Sequence, residues 1–249
     1  MPSNIPGIAI AGAFLFAAAA TSCVPAQPQA SMNVLTPVER EQGWRLLFDG
    51  ETTNGWRGYG EDRVPDGWHA VDGALVRTAT GAGDIITTDR FRNFELVLQW
   101  KLGPGGNSGI FYRAVETDRE IWRTAPEMQV LDDERHPDGR SELTSAGALY
   151  ALHGTTRGVV RPAGSWNDVR IVLNGSHGEH WLNGTKLFEF GIGSPDWDVR
   201  VRASKFASEP GFGRNAEGHI GLQDHEPAQG YGGPEDRVEF RNIKIRVLP

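Results

Sequence analysis

Arg170-Ile171-Val172-Leu173-Asn174-Gly175, then Glu179-His180-Trp181-Leu182-Asn183-Gly184, then Lys186-Leu187-Phe188-Glu189-Phe190, is the stretch that decides the fold class. Asn-Gly suits the two positive-φ positions of a type I′ turn, so two such pairs between apolar runs predict a three-stranded antiparallel meander. The same alternation continues on both sides. Phe94 to Lys101 puts Phe94, Leu96, Leu98 and Trp100 on one face, and Gly109 to Ala114, Glu127 to Leu131, Ala148 to Leu152, His219 to Gln223 and Val238 to Val247 follow as strands. In the last of these the apolar parity slips between Phe240 and Ile243, which predicts a bulge near Asn242. About ten or more antiparallel strands imply two packed sheets, an all-β sandwich.

Composition agrees. Among 249 residues, 32 Gly and 15 Pro favour many turns over long helices, and eight Trp with eleven Phe can fill a large core. The net charge of −7 lies wholly beyond residue 38, with no run of Lys or Arg, which argues against a nucleic-acid partner. One cysteine excludes an internal disulfide framework.

That cysteine closes a distinctive leader. Ile8 to Ala20 is small and apolar, shorter than a membrane span, and ends in Ala20-Thr21-Ser22-Cys23 before a polar stretch. Residues 1–22 therefore read as an export signal. The pattern resembles a bacterial lipoprotein signal, which implies lipidation of Cys23 and a location in the periplasm or at the outer membrane. Residues 23–38 would be a tether and 39–249 one domain, with membrane contact only through the lipid. The alternative is an ordinary secretory signal cut near Ala30.

Chemistry is sought where polar side chains line up on a strand face opposite the core. In Glu127-Met128-Gln129-Val130-Leu131-Asp132, Met128 and Val130 point one way while Glu127 and Gln129 point the other. In His219-Ile220-Gly221-Leu222-Gln223-Asp224-His225, His219, Gln223 and His225 oppose Ile220 and Leu222. A solvent-facing sheet also alternates in this way, but such faces usually carry Lys, Glu and Thr. Amide and imidazole beside glycine suit a ligand that approaches closely. The run Gly103 to Arg113 adds glycines and the donors Asn107, Ser108, Tyr112 and Arg113, a set suited to a polyhydroxylated ligand. Asp132 to Gly139 gathers oxygen ligands and one imidazole, so Asp132 and His136 are the residues offered to a divalent metal, the one cofactor considered; taken alone, the run is better explained as a solvated acidic turn.

Gly43-Trp44-Arg45-Leu46-Leu47-Phe48-Asp49-Gly50, Gly83-Asp84-Ile85-Ile86, Gly106-Asn107-Ser108-Gly109-Ile110-Phe111-Tyr112-Arg113, Pro126-Glu127-Met128-Gln129-Val130-Leu131-Asp132, His180-Trp181-Leu182-Asn183-Gly184 and Gly218 to His225 together resemble the 3-keto-disaccharide hydrolase domain family. The resemblance runs in order from about Gly43 to Arg246, and Glu226 to Asp236 stands out as an insertion. It implies a concanavalin A-like jelly-roll sandwich, often exported, that acts on 3-keto-glycosides by elimination at C1/C2 followed by hydration. A general base, an acid for the leaving oxygen and stabilisation of an enediolate are then required. Glu127, His180 and His225 are the candidate catalytic groups. Asn107, Tyr112, Arg113, Gln129, Lys205, His219 and Gln223 are the candidate substrate-binding groups. A non-catalytic carbohydrate-binding module, with Trp56, Trp122 or Trp197 as stacking platforms, is the alternative. An ordinary retaining glycosidase ranks last, for want of a Glu-x-Asp-x-x-Glu strand.

Overall fold

The computed structural model describes Met1 and residues 32–209, 211–231 and 237–249. The expected export signal, Cys23, most of the tether and the end of the insertion lie outside the described residues. Along the described chain run the strands β1 (Trp44–Leu46), β2 (Trp56–Gly58), β3 (Trp68–Val71), β4 (Ala74–Arg77), β5 (Ile85–Thr87), β6 (Phe94–Leu102), β7 (Asn107–Ala114), β8 (Glu127–Leu131), β9 (Asn167–Asn174), β10 (His177–Leu182), β11 (Thr185–Gly191), β12 (His219–Leu222) and β13 (Val238–Val247). Two helices, α1 (Pro37–Glu41) and α2 (Pro195–Arg202), are short.

Every strand pair is antiparallel, and the strands form two sheets. The larger runs β11-β10-β9-β6-β13-β4-β3, with β1 also on β13, and the smaller runs β2-β5-β12-β7-β8. The chain crosses repeatedly from one sheet to the other, giving the two-sheet antiparallel jelly-roll sandwich that the resemblance implies.

The meander is present as β9, β10 and β11, but its two turns differ. Asn183 and Gly184 both have positive φ and link Leu182 to Thr185, the type I′ arrangement. At the other turn Asn174 stays in the ladder opposite His177, so Gly175 and Ser176 form the loop and only Gly175 has positive φ, as in a type II′ turn. The bulge in β13 is also found: register slips between Arg241 and Lys244, and Asn242 has φ 52.

The core lies between the sheets. Phe94, Leu96, Leu98 and Trp100 of β6 meet Ile110 of β7, Met128 and Val130 of β8 and Ile220 and Leu222 of β12, all essentially inaccessible. Burying each such side chain contributes roughly 1.5–3 kcal/mol.

Ala148 to Leu152 is not a strand. Its first half lies along the free edge of β8, where Gly147 N–H donates to Gln129 O, Gln129 N–H to Ala148 O and Tyr150 N–H to Glu127 O. Ala151 then takes φ 60 and the chain turns back, closed by Leu152 N–H to Leu149 O. Alternation alone does not distinguish such a half-strand. Its place on the edge covers groups that would otherwise template foreign pairing.

Residues 33–38, expected in the tether, are attached to the sandwich. Asn33 N–H donates to Asn242 Oδ1 at 2.6 Å, Asn242 N–H returns a bond to Asn33 Oδ1 at 2.8 Å, and Asn33 Nδ2 donates to Gly73 O. Thr36 and Glu39 form a capping box at the start of α1. The folded part thus begins before residue 39.

Candidate active site

Register on the small sheet builds a polar row on the face turned away from the core. Gly221 pairs with Ile86 and Phe111, and Phe111 pairs with Glu127, so Ile86, Gly221, Phe111 and Glu127 form one row across four strands. One step further along, Gly109 pairs with Gln129 and accepts a bond from Gln223 N–H, while Asp84 lies just before β5. Asp84, Gln223, Gly109 and Gln129 therefore make the adjacent row. The glycine is what makes this row usable. A Cβ at Gly109 would sit 2.2 Å from Glu127 Oε1, so the Glu127 carboxyl leans over β7 into the space a side chain would fill.

Several polar atoms on this face have no partner among the described residues. Glu127 Oε1, both side-chain heteroatoms of Gln129, Gln223 Oε1 and Asn107 Oδ1 are buried without a hydrogen bond. Native interiors carry few such groups, and several gathered on one face mark a binding or catalytic surface. The outer face of the large sheet provides a contrast within the same molecule. There Glu95 pairs with Arg170 and Arg246, and Glu179 and Glu189 both pair with Lys186, as expected of a solvated face.

Burial drives the Glu127 carboxyl up to about 8, with Asp84 and Asp138 adding to the rise and Lys205 opposing it. Asp84 is likewise pushed up to about 7, chiefly by burial, against a 2.8 Å bond from Asp224 N–H. The Asp84 loop is itself anchored: Asp224 accepts from Gly83 N–H at 2.8 Å and pairs with the fully buried Arg77 of β4 at 3.2 Å. Lys205 lies over Tyr150, its Nζ 4.2 Å from the ring centroid, and 5.1 Å from that of Trp122. Partial burial lowers its pKa, and the charges of Glu127 and Asp138 raise it. Tyr150 OH donates to Asp138 Oδ2 at 3.2 Å. Two carboxyls that titrate near neutrality, an ammonium and three amides thus share one face, a set able to move a proton and hold hydroxyl groups.

At one end of this face Asn107 Nδ2 lies 3.4 Å from His136 Nε2 and 3.2 Å from His225 Nδ1. His225 is exposed and also meets Glu226 O at 2.8 Å. Asp132 and His136 are each already engaged by protein groups. The Asp132 carboxylate already accepts from Gly105 N–H and Glu134 N–H and pairs with Arg135, and His136 Nδ1 accepts from Asp138 N–H. Among the described residues the acidic and imidazole groups that do converge are His177, Glu179 and Glu189 on the outer face of the large sheet, where Lys186 already joins the two carboxylates.

Four of the expected site residues lie elsewhere. His180 shares parity with Gly178 and Leu182 and is fully buried between the sheets. Its Nδ1–H donates to Gly147 O and its Nε2 accepts from Tyr112 OH, both at 3.1 Å, and burial pushes it down to about 3, so it is neutral. His180 and Tyr112 thereby hold the Gly147–Ala148 segment against Gln129 from behind. Arg113 is diverted by a bulge in β7 and donates to Gly175 O in the β9–β10 turn. His219, four residues and about 13 Å along the strand from Gln223, meets Thr87 O at 2.7 Å. Of the three tryptophans considered as platforms, Trp56 and Trp197 are core residues at 4% and 1% exposure, and Trp122 alone lies beside Lys205.

Asp84, Asp138 and Tyr150 belong to the site but are absent from the sequence-based candidates. Asp84 was recoverable, since it shares parity with Ile86 across β5. Asp138 and Tyr150 reach the face through the long β8–β9 connection, where the expected strand Ala148 to Leu152 gave no sign that it lies along the edge of β8.

The sequence profile of the 3-keto-alpha-glucoside-1,2-lyase-like domain matches residues 43–246. A protein of Bacteroides thetaiotaomicron named 3-keto-disaccharide hydrolase is 36% identical over 243 residues, covering 85% of this chain and 80% of the relative. Two crystal structures of candidate glycosyl hydrolases from Parabacteroides distasonis are also similar. One has TM-score 0.79 and 33% identity, over 88% of this chain and 100% of that one. The other has TM-score 0.62 and 31% identity, over 82% and 99%.

A carboxyl that titrates near 8 when folded and near its ordinary 4.5 when unfolded holds its proton more tightly in the folded state. Its contribution to stability is complete below the unfolded value and is lost as pH rises through the folded one. Glu127→Gln keeps the neutral shape at all pH values. Denaturant titrations should therefore show the variant gaining on the native chain from about pH 5 to about pH 8. Parallel stability curves would contradict the burial of an unpaired carboxyl.

Proposed function

The chain belongs to the 3-keto-alpha-glucoside-1,2-lyase-like domain family, and we propose that it is a hydrolase of 3-keto-glycosides working by elimination and hydration. The observation that carries this is the Glu127 carboxyl, buried over Gly109 with Oε1 unbonded, where burial pushes it up to about 8. A ketone at C3 acidifies the hydrogen at C2. Removing that proton leaves an enediolate, whose collapse breaks the C1–O bond and expels the aglycone oxygen, which takes up a proton. Water then adds across the C1–C2 double bond, so one water is consumed for one glycosidic bond broken.

Glu127 and Asp84 supply the proton traffic. Burial raises both carboxyls, and the charge of Asp84 raises Glu127 further, so the pair retains a proton near neutral pH. The ionised member accepts the C2 proton and the protonated member serves the leaving oxygen. The Lys205 ammonium stabilises the enediolate, and Gln129, Gln223 and Asn107 bind the sugar hydroxyls with amide groups that have unused hydrogen-bonding atoms. His225, exposed beside Asn107, closes the open end of the site. An ordinary glycosidase would use two carboxyls on an oxocarbenium-like transition state and would have no need of the ketone.

The first test follows 3-keto-trehalose and 3-keto-glucosides in D₂O by NMR. Deuterium should appear at C2 of the released 3-keto-sugar, the unoxidised disaccharide should stay intact, and Glu127→Gln should slow turnover by about 10²–10⁴-fold. Release without deuterium, or cleavage of the unoxidised sugar, contradicts elimination.

We further propose export, with Cys23 lipidated and residues 24–32 as the tether. Support comes from the apolar run Ile8 to Ala20 followed by Thr21-Ser22-Cys23. Cys23→Ser should release the protein from the membrane fraction of the producing cell, and unchanged fractionation would exclude the lipid anchor.

A further inference from the structure

A second polar cavity lies at the end of the sandwich beside the β9–β10 turn and shares no lining residue with the Glu127 face. Its volume is about 310 Å³, and Arg92, Asn93, Arg113, Gly175, Ser176 and Arg214 contribute to its wall. The β7 bulge creates it. Register steps from Phe111 opposite Gly221 to Ala114 opposite His219, so Tyr112 and Arg113 together face Ile220. Arg113 takes φ 56, a conformation an arginine adopts only under constraint, and one that turns its side chain out of the strand's alternation.

The Arg113 guanidinium is left with an unbalanced charge. The residue is 5% exposed; Nη2 donates to Gly175 O, Nε has no partner, and no carboxylate among the described residues pairs with it. An arginine cannot escape burial by losing its proton, so a buried and unpaired guanidinium calls for a counter-charge. The other charged residues lining the cavity repeat its sign. Arg92 is exposed and makes no ion pair with any described residue, and Arg214 at the rim holds Asp198 through one terminal nitrogen. Burial and Arg92 both depress the Arg113 pKa, as expected where no anion faces the group.

We propose that this cavity binds a small oxyanion, a phosphate, sulfate or carboxylate group, on Arg113, with Arg92 and Arg214 at its mouth. Planar N–H donors with several free positions match the geometry of such groups, and the low exposure of Arg113 strengthens the pairing. The site is independent of the chemistry assigned to Glu127.

Isothermal titration of the full chain with sodium phosphate, sodium sulfate and sodium acetate, at ionic strength fixed with sodium chloride, tests this. Saturable binding of at least one anion is expected, and which one binds separates a tetrahedral oxyanion from a carboxylate. Arg92→Gln combined with Arg214→Gln changes only exposed side chains and should weaken binding about tenfold or more. Arg113→Met should abolish it, with circular dichroism checking that the variant folds. Heats that follow ionic strength alone, or binding unchanged in the Arg92/Arg214 double variant, would overturn the proposal.

Discussion

The missing side chain at Gly109 is the constraint from which the site follows. A carboxyl on the outer face of a sheet normally reaches water and ionises at its ordinary value. Here Glu127 lies across the neighbouring strand instead, in a space that any Cβ would close, and the β8–β9 connection with Tyr150 and the segment carrying Lys205 flank it. Proton affinity is raised because desolvation acts on a group that no cation pairs with directly. The same absence lets Gln129 and Gln223 face each other across β7 with their amides unspent.

The rest of the sandwich holds that face in position from behind. His180 and Tyr112 clasp each other in the core, and the imidazole holds Gly147, which pairs with Gln129 on the open edge of β8. Arg77 reaches from the large sheet to Asp224, which in turn orients the loop before Asp84. Both ties are buried and join one sheet to groups beside the other, so breaking either would shift the site as well as weaken the fold. The large sheet's outer face has no such role, and its charges are paired in the ordinary way of a solvated surface.

Much of this was legible in the sequence, and the failures have identifiable causes. Strand parity placed Glu127, Gln129 and Gln223 on one face correctly, because a period of two leaves no ambiguity once Met128, Val130, Ile220 and Leu222 are assigned to the core. The same rule applied to His180 would have put it inside with Leu182. His180 stands among the candidates through the family resemblance and not through its parity. Tyr112 follows Ile110 into the core, whereas Arg113 leaves the alternation because a bulge resets it without a residue that announces it. Asn183-Gly184 gave its turn type directly, whereas Asn174-Gly175 shifted by one because Ser176 completes a different two-residue loop. Asp138 and Tyr150 come from a connection whose path depends on tertiary contacts, and the alternation of Ala148 to Leu152 does not say which edge that segment joins.

The chemistry assigned to this face requires that Glu127 keep its proton near neutral pH. The most direct measurement is a carbon-13 NMR titration of side-chain carboxyls in the ligand-free protein, with the Glu127 signal assigned by its loss in Glu127→Gln. A midpoint near 8 is what the buried, unpaired carboxyl predicts. A midpoint near the ordinary 4.5 would mean that the group is solvated or paired, and that the chemistry assigned to this face must be carried by other residues.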